Sequence, residues 1–430
     1  MELSKDQAAA LGALNEGKSL FIDGPGGSGK STLVRMWEKS RPDLNIVKLA
    51  ATASAAQLIG GMTINSFLQL GTDPKLPGHS LPMRKDLYGK IRAADAFLID
   101  EISMCRVDQF QAIRDRLFGA ARGMGPFAGY QMVCIGDFLQ LPPVLTDAEK
   151  PIIDKHYGSD GLFAFQNRFF SGLERAQLTT QHRQSADSEF RDFLNAMREG
   201  GAVDLDFINQ RVGPIPEGGS TQLTATRARA RALNAEAMAK LPAGSYTLRG
   251  EVDGHFPDSA KRLPSAFQIK PNSRVIICAN DPDKAYHNGS TGVLQKCVRD
   301  EEGRPAAVVA LDNGGTVTVK AHTWEHKAYD MTSKGYEAKV TGTYTQLPLA
   351  PGYATTIHYA QGMTLDRAHI DPSDMFAPGQ LYVALGRVGA LENLTLAAPV
   401  TEDHIMHDPR VMDFMGISLS AKKEPATEPA

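Results

Sequence analysis

The stretch Gly24-Pro25-Gly26-Gly27-Ser28-Gly29-Lys30-Ser31 constrains the fold of this chain more than any other. It fits the phosphate-loop pattern, in which a glycine and a Gly-Lys-Ser triplet are separated by four residues. A short apolar run at residues 19–23 precedes it, and a helix-compatible stretch at 31–39 follows. Glycines let backbone N–H groups close around a β-phosphate, and the helix N-terminus adds its positive end. Gly24, Pro25, Gly26, Gly27, Ser28, Gly29 and Thr32 are therefore expected to surround the phosphates. Lys30 is expected to reach the β and γ groups, and the Ser31 hydroxyl to ligate Mg²⁺.

The same order of strand, turn and helix recurs along the first half. Apolar runs at 46–50, 96–99 and 131–135 are further buried-strand candidates, which argues for a parallel sheet with helices on both faces. A second α/β pattern starts near Thr221, with a strand at 221–226 and a helix at 228–240, and resumes at 354–357. Between its two parts, residues 293–340 alternate apolar and polar side chains around Gly-containing turns, as a small antiparallel barrel does. At 430 residues the chain exceeds what one core usually serves, so at least two compact units are expected. A net charge of −3 excludes bulk attraction to nucleic acid and leaves only a local groove for it. The four cysteines form no Cys-x-x-Cys pair, the N-terminus is polar, and no segment offers about 18 uninterrupted apolar residues. A zinc ribbon, secretion and membrane insertion are thereby disfavoured, and a cytoplasmic protein is expected.

A phosphate loop needs a carboxylate partner, and the apolar strand at 96–99 ends in Asp100 and Glu101. Asp100 would serve Mg²⁺, and Glu101, also a candidate metal neighbour, would orient or deprotonate an attacking water. These features specify nucleotide hydrolysis and no more.

Further motifs discriminate. Ile99-Asp100-Glu101-Ile102-Ser103-Met104, followed by Gly136-Asp137-Phe138-Leu139-Gln140-Leu141-Pro142-Pro143, resembles motifs II and III of superfamily 1B DNA helicases of the RecD-like and Pif-type family. Within that resemblance Gln140 would couple phosphate state to the strand surface, and Gln7 corresponds to a glutamine that reads adenine. Gln181-His182-Arg183-Gln184 resembles motif IV and Gln380 to Val388 resembles motif VI, which makes Arg183 and Arg387 the two arginines that reach the γ-phosphate. Thr52, Ala53, Asn65, Ser66 and Phe67 resemble motif Ia and the segment after it, where hydroxyls hold backbone phosphates and an aromatic stacks a base. By residue chemistry alone Phe67 suits the core equally well. Thr356, His358, Tyr359 and Gln361 resemble motif V and complete the expected DNA contacts, its Thr, His and Gln being expected to touch both the strand and the neighbouring domain. Asn65, Tyr359 and Gly386 depart from residues common in the family (His, Lys and Ser), and Tyr359 could stack a base where a lysine would hold a phosphate.

The resemblance covers residues 3–395 and implies an ATP- and Mg²⁺-dependent DNA helicase moving 5′ to 3′ on single-stranded DNA, in repair, recombination or replication. It implies two RecA-like P-loop domains with parallel sheets and a small inserted β-barrel. The first is expected at 1–180, with a small insertion near 70–90, and the second at 181–292 and 346–410. The barrel is expected at 293–345 and a disordered tail at 418–430. Single-stranded DNA and duplex junctions are the expected partners, with the loop from Asp73 to Gly78 as a candidate wedge. Both halves of the site lie on one chain, so a monomer suffices. A strand translocase or protein-displacing remodeller would share every motif, whereas a DNA-independent P-loop NTPase would not need motif V.

Overall fold

Runs of buried apolar residues become the inner strands of a six-stranded parallel sheet: β1 (Leu20–Asp23), β2 (Ile46–Ala50), β3 (Met62–Thr63), β4 (Ala96–Asp100), β5 (Gln131–Gly136) and β6 (Glu174–Gln177). A computed structural model describes residues 3–418 apart from 71–73, 77–82, 181–186, 217–218, 243, 262, 284 and 333–334. The order is β3-β2-β4-β5-β1-β6, with every neighbour parallel. Alternate residues serve opposite faces. Phe21, Phe97 and Ile99 enter one core, while Leu20, Ile22 and Leu98 enter another with Trp37 of the helix Lys30–Ser40. Burial on both faces explains why the inner strands read as continuous apolar runs.

A second parallel sheet orders its four strands as Ala354–Thr356, Thr221–Thr224, Ala368–Ile370 and Leu394–Leu396. The helices Ser188–Arg198 and Gln380–Leu385 pack on its core. The expectation of two parallel-sheet P-loop-type units therefore holds.

The antiparallel strands extend beyond the expected 293–345. A five-stranded sheet takes Arg274–Ile277, Thr291–Arg299, Pro305–Leu311, Thr316–Lys320 and Leu349–Pro351. The hairpin His322–Thr332 with Gly335–Gln346 forms a separate sheet with Glu251–Gly254, and Tyr246–Arg249 pairs with Ala266–Ile269. The hairpin leans on the helix Lys85–Ala93 of the first unit.

The chain then returns to where it began. The helix Pro409–Met415 buries Val411, Met412 and Met415 in the first sheet's core, and Phe414 stacks on Phe165 at 4.2 Å between ring centroids. Most of the tail, residues 419–430, lies outside the described residues. So do Asp73, Pro77 and Gly78 of the candidate wedge. The described part, Pro74 to Leu76, is tied to the body, because Lys75 N donates to Asp108 at 2.8 Å and Tyr157 Oη donates to Lys75 O.

Candidate nucleotide site between the two parallel sheets

All strands of the first sheet are parallel, so β1, β4 and β5 end at one edge and deliver their loops to one crevice. The phosphate loop leaves β1, and Gly27 and Gly29 adopt φ of 82° and 80°, backbone that a side chain would strain. Gly29 caps the helix Lys30–Ser40. Lys30 Nζ spans the loop, donating to Gly24 O at 2.6 Å and Pro25 O at 2.8 Å, and burial lowers its pKa. The Ser28 hydroxyl is buried and accepts or donates no hydrogen bond among the described residues, a polar atom suited to a phosphate oxygen. Gln7, also buried, donates from Nε2 to Ser28 O at 3.1 Å, and its Oε1 accepts from Ser4 N at 3.2 Å. Its amide thus stands on the loop. Ser31 is exposed at the helix start and Thr32 is half-buried.

Asp100 ends β4 and accepts a hydrogen bond from Glu101 N at 2.9 Å, while Glu101 takes a left-handed backbone with φ of 50°. Burial raises the Asp100 pKa. Burial and then the Asp100 charge push Glu101 up to about 7, although Lys30 and Arg387 pull it back. A carboxyl near 7 is poised for proton transfer at neutral pH. Among the described residues no cluster of three or more His, Cys, Asp or Glu could hold a metal alone. The oxygens of Ser31 and Asp100 instead suit Mg²⁺, which binds through few protein ligands and shares the rest with phosphates.

The second unit closes the crevice. Gln361 Nε2 lies 3.1 Å from Glu101 Oε2 and 3.3 Å from Gln140 Oε1, joining two groups of the first sheet. Gln140 Nε2 donates in turn to Asp137 Oδ2 at 3.2 Å. Arg387 is 3% exposed; its Nε donates to Val383 O at 2.7 Å, and its charge is felt at Glu101. Tyr382, on the helix before it, has its phenol held by the Gly26 N–H of the phosphate loop. Gly379, with φ of 74°, begins that helix, and a Cβ there would sit 2.6 Å from Gln140 O. Backbone meets backbone at this point.

The expected DNA contacts divide. Phe67, expected to stack a base, is 3% exposed and meets Phe97 edge-on at 6.3 Å, so it belongs to the core. The reason is local: the short helix Ile64–Phe67 turns Phe67 inward and leaves Ser66 exposed. Asn65 is half-buried and accepts from Gln109 Nε2 at 3.4 Å. Thr52 caps the helix Ala53–Leu58 through Ala55 N at 3.2 Å. Thr356, mostly buried, caps the helix Ile357–Ala360 through Tyr359 N. His358 and Tyr359 remain half-buried, and burial and Arg227 lower the His358 pKa. Gln361, expected on the strand and against the neighbouring domain, contacts Glu101 and Gln140 of the first unit. Arg183 lies outside the described residues. Two residues without an expected role, Tyr382 and Arg198, are both buried across the crevice; Tyr382 falls within the motif VI resemblance, and the one legible signal of Arg198 is its place at the end of an otherwise amphipathic helix.

A model of PIF1-like helicases matches residues 2–206. The ATP-dependent DNA helicase Pif1 of Bdellovibrio bacteriovorus is 30% identical over 96% of this chain and 92% of its own length. The chain belongs to the Pif1-like helicase family. The human ATP-dependent DNA helicase PIF1 is 31% identical over 96% of this chain, which spans 63% of the human protein. Among solved structures, Bacteroides Pif1 with ADP-AlF4 matches at a TM-score of 0.87 and 28% identity, covering 97% of both chains. The Bacteroides Pif1 structure bound to single-stranded DNA has the same identity and coverage but a TM-score of 0.69. The Pif1-like fold thus extends over both parallel sheets and the antiparallel strands between them.

Proposed function

We propose that this chain is an ATP-dependent DNA helicase that moves 5′ to 3′ along single-stranded DNA and parts duplex at a junction. Membership of the family supports the reaction class and the direction. The observation that carries the coupling is Gln361, whose amide touches Glu101 and Gln140 of the ATP crevice while it ends the short helix that Thr356 caps and that contains His358 and Tyr359. A strand held by those residues and a nucleotide held by the phosphate loop would act on one short segment.

In this reading Gln7 holds adenine and residues 24–32 hold the phosphates. Glu101 takes a proton from the attacking water as its oxygen bonds to the γ-phosphorus and the bond to the β-phosphate oxygen breaks. Mg²⁺, held by Ser31 and Asp100, would neutralise charge on the β and γ phosphates. Lys30, Arg387 and Arg183 would neutralise the rest, the two arginines from the second unit, so that hydrolysis releases the closed crevice. In this reading residues 1–180 make up the first RecA-like domain and 181–292 with 346–410 the second, except that the antiparallel strands within 246–277 and 349–351 join those of 293–345 in the inserted unit. One chain supplies both halves, so a monomer is the working unit. The lower TM-score to the DNA-bound relative agrees with domains that rearrange on the strand.

ATP hydrolysis with and without single-stranded DNA tests this reading. Stimulation of at least about tenfold is expected, and Gln361→Ala should remove most of it while the KM for ATP stays within about twofold. Hydrolysis indifferent to DNA would return the chain to a DNA-independent NTPase.

A further inference from the structure

Arg198 is the last residue of the helix Ser188–Arg198, whose apolar face is packed on the second sheet. It is 3% exposed, yet its guanidinium faces the first sheet. Nε donates to Asp137 Oδ2 at 3.1 Å and Nη2 to Asp137 Oδ1 at 2.9 Å, a bidentate pair. Nη2 also lies 3.7 Å from Asp23 Oδ1, at the end of β1 just before the phosphate loop. Arg175 holds the other Asp23 oxygen at 2.8 Å. Two buried carboxylates at the ends of neighbouring strands β1 and β5 therefore share a cation that the second unit supplies.

Asp137 is also the acceptor for Gln140 Nε2 at 3.2 Å and for Leu139 N at 3.2 Å. Gln140 then meets Gln361, and Gln361 meets Glu101. We infer that Arg198 is a positioning residue for ATP hydrolysis: from the second unit it locks Asp137, and through Asp137 it fixes the Gln140 amide that orders Gln361 and Glu101. It contacts no group that hydrolysis transforms. The arrangement gives the second unit a hold on the water-activating carboxylate that is independent of the arginines aimed at the γ-phosphate. A bidentate, planar donor is needed because Asp137 must keep one oxygen lone pair for Gln140 while both oxygens remain compensated in a buried site. This inference rests on the proposed hydrolytic role of Glu101.

Removal of the charge by Arg198→Met would leave buried carboxylates unpaired and endanger folding, so the test uses Arg198→Lys, with Asp137→Asn as the second variant. Steady-state hydrolysis is measured in the full chain with single-stranded DNA present, alone and combined with Gln140→Ala, with Tm recorded for each. The expected result is a kcat at least about tenfold lower for Arg198→Lys, with the KM for ATP within about twofold, and no further loss when Gln140→Ala is added. Asp137→Asn should behave alike. Losses that multiply with Gln140→Ala, a KM that rises with kcat unchanged, or an unaltered kcat would overturn the inference. Should wild-type hydrolysis ignore DNA, the motor reading fails separately, and the same cycle is read without DNA.

Discussion

The central residue is Glu101, held in left-handed backbone at the end of an apolar strand. Burial and the neighbouring Asp100 raise it from an ordinary 4.5 to about 7. In its proposed role as general base it must be ionised, so kcat/KM for ATP should rise with pH through about 7 and level off above it. The stability consequence has the opposite sense. Between the unfolded and folded pKa values the native state holds a proton that the unfolded chain releases, so Glu101 favours the fold at low pH and loses that contribution as pH rises through 7. Glu101→Gln should therefore cut hydrolysis by at least about 100-fold and raise Tm at pH 8. The Tm gain should vanish near pH 5. A pH-independent Tm difference, or a flat rate profile between pH 5.5 and 8, would contradict this account of the site.

At the scale of elements, the short helix Ile64–Phe67 shows how a motif divides between core and surface. Phe67 lies among Phe97, Leu68 and Leu87, so Phe67→Ala should destabilise the fold by about 3–5 kcal/mol in denaturant titration. The affinity of the folded protein for a labelled single strand should stay within about twofold; a large loss of affinity at unchanged stability would return Phe67 to the strand surface. β1, β4 and β5 were legible because each is buried on both faces and runs into residues with an expected chemical task, and β2, whose Lys48 is only half-buried, was legible from its apolar residues alone. The sequence hid β6, whose Glu174-Arg175-Ala176-Gln177 is a mostly exposed edge strand with no apolar signature. It also hid the return of the helix Pro409–Met415 to the first core, since nothing local tells Met412 or Phe414 which sheet will receive them. The phosphate loop and Asp100-Glu101 were readable as local patterns. The roles of Arg198 and Tyr382 and the particular partners of Gln361 in the neighbouring unit were not, because each depends on a residue some 60 or more positions away in the chain.

At the scale of the whole molecule, two parallel sheets face one another across a crevice that side chains and backbone bridge. Arg198 pairs with Asp137, Gln361 bridges Glu101 and Gln140, and the backbone of Gly379 rests against that of Gln140. Interfaces of this kind are bistable, so a change at the γ-phosphate is transmitted as a movement of one unit against the other. The antiparallel strands and the C-terminal helix tie the two units together at other points, through the hairpin on Lys85–Ala93 and Phe414 on Phe165. In the proposed reading, closure and release around ATP become directed steps on a strand held near Thr52 and Thr356. The most direct test is unwinding of a labelled duplex carrying either a 5′ or a 3′ single-stranded overhang, with ATP and Mg²⁺, by the wild type and by Lys30→Ala. Strand separation is expected from the 5′ overhang only, and none in Lys30→Ala. Separation from the 3′ overhang alone, or none from either despite DNA-stimulated hydrolysis, would contradict the proposed reading.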